Sequence, residues 1–408
     1  MIEGLPTLDD VEYIGKSILI RLDVNAPIVN STILDTTRFE SHIPTLKELD
    51  GSKVVILAHQ SRPGKKDFTT LENHAAVLSK LLGKEVEYVD GLFSSCVIDR
   101  IKSMKNGEVL LLENVRFYSE EQLKRSAEEH SNSFLIKKLY PYFDLYINDA
   151  FSASHRAHAS LVGFPPVIPA VVGRLVEKEV AALSKAIKSK GRKIFILGGA
   201  KIEDSVKVMR AVLTEGIAEK VALSGVVANY FLMLDGKNIG DVNIKVVEEN
   251  KEGLNDEEML ELFKKYRDKI ILPIDVGVEE GGKRKDVAIE ELKGEKIMDI
   301  GVNTISMLTE EIPQYDVAVI NGPAGVFEDE RFTLGTFEVL KAVSKAGYSV
   351  VGGGHIATAA RMIGIDKKMS HVSTGGGACI RFLTGEKLIA LEVIKEYWEK
   401  KWRSVCGK

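Results

Sequence analysis

The chain has 408 residues, too many for one ordinary hydrophobic core, so two domains of roughly 150–200 residues are expected. Lys and Arg number 55 against 59 Asp and Glu, a formal charge of -4 with no acidic or basic tail, which argues against nucleic acid as a partner. The apolar runs fall short of the ~18 residues of a membrane span, and "MIEGLPTLDD" lacks the features of a secretory signal, so a cytoplasmic protein without a membrane partner is expected.

In chain order, β-rich runs occur at "SILIRLDVNAP" (17–27), "KVVILAHQSRP" (53–63), "EVLLLENVRF" (108–117) and "DLYINDAF" (144–151). Helical-period stretches such as "LENHAAVLSKLLG" and "SNSFLIKKLY" lie between them, and this alternation predicts a mainly parallel sheet. "GFPPVIPA" then punctuates the chain, and "LVEKEVAALSKAIKSKG" spaces Val176, Val180, Leu183 and Ile187 as one face of a connecting helix. Beyond it the strand ends turn glycine-rich: "KIFILGGAK", "VALSGVVAN", "ILPIDVGV", "VAVINGPAGVFE", "SVVGGGHIATA" and "HVSTGGGA". "EKLIALEVIKEYWEKKW" (386–402) reads as a terminal amphipathic helix. The expected architecture is α/β: two similar-sized three-layer α/β/α domains with mainly parallel sheets, joined by a hinge helix.

Ligands of open parallel sheets sit beyond the carboxyl ends of the strands. In the first half those ends carry Arg21, Asp23 and Asn25, then His59 and Arg62, then Asn114 and Arg116, then Asn148, Asp149, Arg156 and His158. A lone arginine after a strand is usually a solvated loop residue. Four strand ends with cations imply a polyanion between them, because crowded guanidinium groups repel one another. Arg38 joins this rim if "LDTTRFESH" opens a helix there, and the inferred ligand is a phosphate ester carrying a carboxylate. In the second half, glycines after the strands let backbone N–H groups approach a phosphate, as in a nucleotide domain. Cys96, Cys379 and Cys406 are odd in number and far apart, which argues against a disulfide framework or a zinc cluster. Walker, nucleophile-elbow, zincin and protein-kinase signatures are absent, and no dinucleotide fingerprint supports a dehydrogenase. A cationic half and a glycine-rich half with no acid/base pair fit phosphoryl transfer to or from a carboxylate, which has no proton to remove.

"RLDVNAP", "LLENVRF", "NDAFSASHRAHAS", "LGGAK", "NGPAGVFE" and "SHVSTGGGA", in this order over nearly the whole chain, resemble the archaeal-type phosphoglycerate kinase family. The resemblance implies reversible phosphoryl transfer between 1,3-bisphosphoglycerate and ADP, giving 3-phosphoglycerate and ATP, with Mg2+ accompanying the nucleotide. It implies a phosphoglycerate-binding domain over 1–165, to which the helix of 388–408 returns, a hinge over 166–190 and a nucleotide-binding domain over 191–387. Asp23, Val24, Asn25, Arg38, His59, Gln60, Ser61, Arg62, Arg116 and Arg156 would hold the glycerate substrate. Gly198, Gly199, Ala200, Lys201, Asn321, Pro323, Glu328, Gly352, Gly353, Gly354, His355 and Ile356 would hold the nucleotide. Arg38, Lys201, Gly353 and Gly354 would meet the moving phosphoryl group. The family's second lysine is Ser205 here, and its aspartate after the three glycines is His355, so the metal ligand and the oligomeric state, monomer or homodimer, are left open.

Overall fold

A computed structural model describes residues 1–406, which divide into two compact units, 1–181 with 387–406 and 182–386. The first unit is built on a six-stranded parallel sheet. Its strands run in the order Glu87–Val89, Val109–Leu112, Lys53–Leu57, Ser17–Arg21, Leu145–Asn148, Ala170–Val172. The inner strands are buried almost without interruption, which is why they read as continuous apolar runs with no alternation. One core cluster gathers Ile18, Ile20, Val54, Ile56, Leu111 and Ile147 with Phe39, Leu78 and Trp398.

The order along the sheet reverses where Ser17–Arg21 lies beside Leu145–Asn148. Loops leaving those two strands diverge and open a crevice at their carboxyl ends. The strand Ala170–Val172 corrects the sequence reading of 166–173 as hinge alone: three prolines mask a strand that hydrogen-bonds to Leu145–Asn148 and completes the sheet edge.

The terminal helix Ile389–Tyr397 belongs to this unit. Ala390 and Val393, three apart on the helix, pack on Ala127, Ala150, Ala153, Leu161 and Val162, and Trp398, just after the helix, enters the main core. Beyond it, the Trp402 Nε1–H donates to the Pro165 carbonyl at 2.8 Å. Loss of a buried tryptophan alone costs about 3–5 kcal/mol. Truncation before residue 388 is therefore expected to abolish or sharply lower the calorimetric unfolding transition of the first unit, with that of the second unchanged. An unaltered first transition would contradict this packing.

The unit boundary falls inside the helix Arg174–Lys188, whose Val176, Val180 and Leu183 are all buried, as the spacing requires. At its start Arg174 is shared by Glu48 at 2.6 Å, Asp9 at 2.6 Å and Glu177 at 2.7 Å.

The second unit carries its own six-stranded parallel sheet, ordered Ile270–Ile271, Lys220–Leu223, Lys193–Leu197, Val317–Asn321, Tyr348–Gly352, His371–Val372. In chain order this is 3-2-1-4-5-6, the doubly wound dinucleotide-fold order, with its switch point between Lys193–Leu197 and Val317–Asn321. Helix Ile202–Thr214 buries Ile202, Val206, Met209 and Leu213 at i, i+4, i+7 and i+11.

The sequence reading of "ILPIDVGV" as one more parallel strand with a glycine turn is corrected. The sheet strand stops at Ile271, Pro273 interrupts it, and Asp275–Glu280 begins a separate antiparallel sheet with Lys283–Ala288 and Ile297–Ile300. Gly281 and Gly282, at φ of 60° and 78°, form the two-residue turn between the first two of these strands. Gly277 lies under the guanidinium of Arg284 and not at a helix start.

Candidate active site

In the first unit a cavity of about 550 Å³ opens at the carboxyl ends of the strands, lined in part by Asn25, Arg62, Lys65, Arg116, Arg156 and His158. Asp23, two residues before Asn25, is 4% exposed. The Asp23 carboxylate accepts from Arg38 Nη1 at 2.5 Å, from the Asn25 N–H at 3.1 Å and from the Ser152 hydroxyl. Burial opposes its charge, but the Arg38 guanidinium, with the hydrogen bonds from Ser152 and the Asn25 N–H, outweighs burial and holds it well below the usual carboxylate range. Arg38 stands in the first turn of helix Thr37–Glu48 with its side chain 37% exposed, so part of its fork is free for a ligand.

His59 is buried, and its Nδ1 accepts from Arg21 at 3.0 Å. Burial, with Arg21 and Arg116 nearby, keeps its pKa far below the ordinary histidine value, so the imidazole is neutral. His158 is pushed down to about 3 by burial and then by Arg116 and Arg156. Arg116, whose guanidinium donates to the Ser61 carbonyl, is itself pushed down to about 10 by burial and by Arg156 and Arg21. Burial and the neighbouring Arg21, Arg38 and Arg62 lower Arg156 as well. Burial is the larger cause of each depression, and the mutual repulsion that adds to it is what a polyanion would relieve.

Other rim residues face inward. Arg21, read from the sequence as part of the rim, is 1% exposed and points beneath it, donating to Ser160 Oγ at 2.9 Å and to the Leu22 carbonyl. Ser160 in turn donates through its hydroxyl (2.7 Å) and its N–H (2.8 Å) to Glu121, a fully buried carboxylate whose pKa is raised by that burial. Glu121 was not singled out by sequence, because "SEEQLKR" looks like a solvated run. Asn114 donates to the carbonyls of Gln60 and Thr69, and Asn148 donates to Ser154 Oγ, so both serve the loops. Asp149 is tied to His42 Nδ1 at 2.9 Å. Gln60 is buried and committed to Ala26, His74 and Asp67, so its side chain braces the loop and does not reach a ligand. Val24 is fully buried, leaving only its backbone for a ligand. Ser61 adopts φ of 53°, held by Asn25 Oδ1 on its N–H and by its hydroxyl on Asp67.

In the second unit a cavity of about 250 Å³ sits at the switch point. Gly199 and Ala200 follow its first strand, and Pro323, Ala324 and Gly325 follow the strand beside it. The antiparallel insertion adds Ile297, Met298 and Ile300 to the wall, which makes the slot mostly apolar. Glu328 and His355 border it with exposed side chains. Gly198 is buried where any Cβ would lie 2.4 Å from the Pro323 carbonyl oxygen, so no other residue fits.

Gly352 ends a strand, and Gly353, at φ of 97°, caps the helix Gly354–Met362 while passing close to Asn321 Oδ1. N–H groups at such a helix start face outward for an anion. Ile356 is fully buried and contributes packing. Lys201 is exposed at the start of helix Ile202–Thr214 and is not part of the cavity wall. Ser205 is buried and its hydroxyl donates to the Gly198 carbonyl at 3.3 Å, tying the helix to the glycine turn. Lys207 points away and pairs with Glu203 at 2.7 Å, so it does not replace the missing second lysine.

Among the described residues, no helix is long and apolar enough to cross a membrane, and no group of three His, Cys, Asp or Glu side chains converges as a metal site.

The phosphoglycerate kinase family model matches residues 8–386. The chain is 69% identical over 403 residues to the phosphoglycerate kinase of Archaeoglobus fulgidus, covering 98% of this chain and 99% of that protein. It is 49% identical to that of Methanosarcina mazei, with 97% and 96% covered. The crystal structure of phosphoglycerate kinase from Pyrococcus horikoshii OT3 superposes with a TM-score of 0.91 at 38% identity, over 97% of this chain and 100% of that one. Two cavities at the carboxyl ends of two parallel sheets, one cationic and one apolar with glycine turns, agree with these matches, and the chain belongs to the phosphoglycerate kinase family.

Proposed function

We propose that the cationic cavity of the first unit binds phosphoglycerate and the apolar cavity of the second binds the nucleotide. The enzyme is a phosphoglycerate kinase: it transfers the acyl phosphate of 1,3-bisphosphoglycerate to ADP, giving 3-phosphoglycerate and ATP in glycolysis or the reverse in gluconeogenesis. The observation that supports the cavity assignment is the convergence of Arg62, Lys65, Arg116 and Arg156 on one open space, where cations crowd together at a cost that an anion between them removes.

In the reaction a β-phosphate oxygen of ADP attacks phosphorus, the bond to the acyl oxygen breaks, and the carboxylate leaves. No proton moves, so no general base is required. Arg62, Arg116 and Arg156 hold the glycerate anion, with Asn25 beside them in the polar wall and His59 bonded to Arg21 beneath the rim. Asp23 aims Arg38 at the transferring group, where the positive fork meets charge on the equatorial oxygens. Lys201 and the N–H groups of Gly353 and Gly354 meet the nucleotide phosphates, Gly198, Gly199, Ala200 and Pro323 flank the base, and Glu328 accepts from the ribose hydroxyls. Because the two ligands sit on separate units, turnover includes a step that brings them into line.

Mg2+, when bound with the nucleotide, neutralises phosphate charge. The residues fit that role: this hard cation keeps water and phosphate oxygens and needs only one or two carboxylates, and Asp204 lies three residues from Lys201 in the first helical turn. His355, a nitrogen donor, is a poor ligand for it.

Calorimetric titration tests the assignment. Arg116→Ala should weaken 3-phosphoglycerate binding by about tenfold or more, the scale of a charge-assisted hydrogen bond of ~1.5–3 kcal/mol, and leave ADP binding in place. Weaker ADP binding with unchanged 3-phosphoglycerate binding would reverse the assignment. A cytoplasmic location follows from the same reading.

A further inference from the structure

The wall of the second cavity contains a polar side chain that neither the resemblance nor the mechanism uses. Asn229 lies in the helix Gly225–Leu234, one turn after Gly225, and both line the cavity. The residue is 5% exposed among buried Val227, Tyr230 and Phe231. Among the described residues nothing hydrogen-bonds to its side-chain amide, and the residue lines the cavity.

The buried Asn114, Asn148 and Asn243 are satisfied from within, whereas Asn321, at the end of a sheet strand and outside the lining of this cavity, has like Asn229 no side-chain partner among the described residues. Asn243 donates to the carbonyls of Ile239 and Glu295 and accepts from the Ile297 N–H. An asparagine kept unpaired in an apolar wall costs stability unless a ligand completes it.

The remaining polar lining divides into two kinds. Asp299 is fully engaged by Arg284 at 2.7 Å and by the N–H groups of Gly335 and Ile300. Glu328 and His355 are exposed at the border. Inside the slot, the free hydrogen-bonding side chain is that of Asn229.

We propose that Asn229 reads the hydrogen-bonding edge of the nucleotide base and is a specificity-determining residue of this kinase. This rests on the assignment of the nucleotide to this cavity. A carboxamide offers one acceptor and two donors. The 6-amino group of adenine donates and the ring nitrogen beside it accepts, so one carboxamide can pair with both at once. The apolar wall holds the faces of the ring, and Asn229 selects what its edge must carry.

The test compares ATP with purine riboside 5′-triphosphate, which lacks only the 6-amino group, in the 3-phosphoglycerate-dependent reaction. For the wild type, KM for the purine analogue should exceed that for ATP by about fivefold or more, the scale of one desolvated hydrogen bond. In Asn229→Leu, similar in volume but without the amide, the two KM values should converge to within about twofold, with KM for 3-phosphoglycerate unmoved. Equal KM values in the wild type overturn the proposal without recourse to any variant. Discrimination that persists in Asn229→Leu overturns it as well. Failure of the nucleotide assignment is distinguishable: there ATP binding itself would survive an Ala200→Trp block of the cavity.

Discussion

Arg38→Ala should lower kcat by about a thousandfold or more while KM for ATP stays within about twofold, the behaviour of an arginine that stabilises a transferring phosphoryl group. The expectation rests on placement. Arg38 belongs to the first unit, whereas the nucleotide is assigned to the second, and Asp23 fixes one nitrogen of its fork at 2.5 Å while leaving the side chain partly exposed. The Asp23 carboxylate keeps hydrogen bonds from Asn25 and Ser152 in the variant, so local structure is retained. Arg38→Lys should recover only a small part of the loss, because a lysine supplies charge without the planar fork. Steady-state kinetics with both substrates varied decides the matter. Weakened ATP binding with intact turnover would remove Arg38 from the role given to it.

The second large effect concerns stability. Asp149→Ala should destabilise the first unit by about 3–5 kcal/mol, since it removes one member of a buried hydrogen-bonded pair. Asp149 is fully buried between His42 Nδ1 at 2.9 Å and the Leu175 N–H at 2.9 Å. The other ring nitrogen of His42, Nε2, lies 3.1 Å from the Asp23 N–H and 3.2 Å from the Asp23 carbonyl oxygen, which ties the pair to the Asp23 loop. The carboxylate also touches Gly173, where a Cβ would lie 2.2 Å from it, so the site has no slack. Asp149→Ala should therefore lower the melting temperature of this unit by roughly 10 °C and raise KM for 3-phosphoglycerate through the loosened Asp23 loop. Asp149→Asn, which keeps an acceptor for His42, should lose less. Urea unfolding followed by a probe in the first unit measures both, and equal stability of all three proteins would contradict the pairing.

These contacts show where the sequence was readable. Buried parallel strands are continuous apolar runs, so the sheets were visible in runs such as "KVVILA" and "VAVIN", and the polar cluster "NDAFSASHRAHAS" could be placed at a strand mouth. The orientation of individual side chains was not visible. Arg21 and Arg116 look alike in sequence, each following an apolar run, but Arg21 is drawn inward by Ser160, 139 positions away, backed by Glu121. Non-local pairing of that kind leaves no local signal. "ILPIDVGV" did leave one: "EEGGKRK" is a two-glycine hairpin turn that separates antiparallel strands, while Pro273 ends the parallel one. Asn229 sat unnoticed in "VALSGVVAN" because an asparagine at helical spacing gains meaning only from the cavity it faces.

The measurement closest to the central claim is the initial rate of ATP consumption with 3-phosphoglycerate and Mg2+ varied together, coupled to removal of the bisphosphate product. The account predicts saturable turnover that requires all three, and that keeps its maximal rate across neutral pH because no protein group must lose a proton. A folded protein that binds both ligands without turnover, or whose kcat follows a single ionisation between pH 6 and 8, would contradict it.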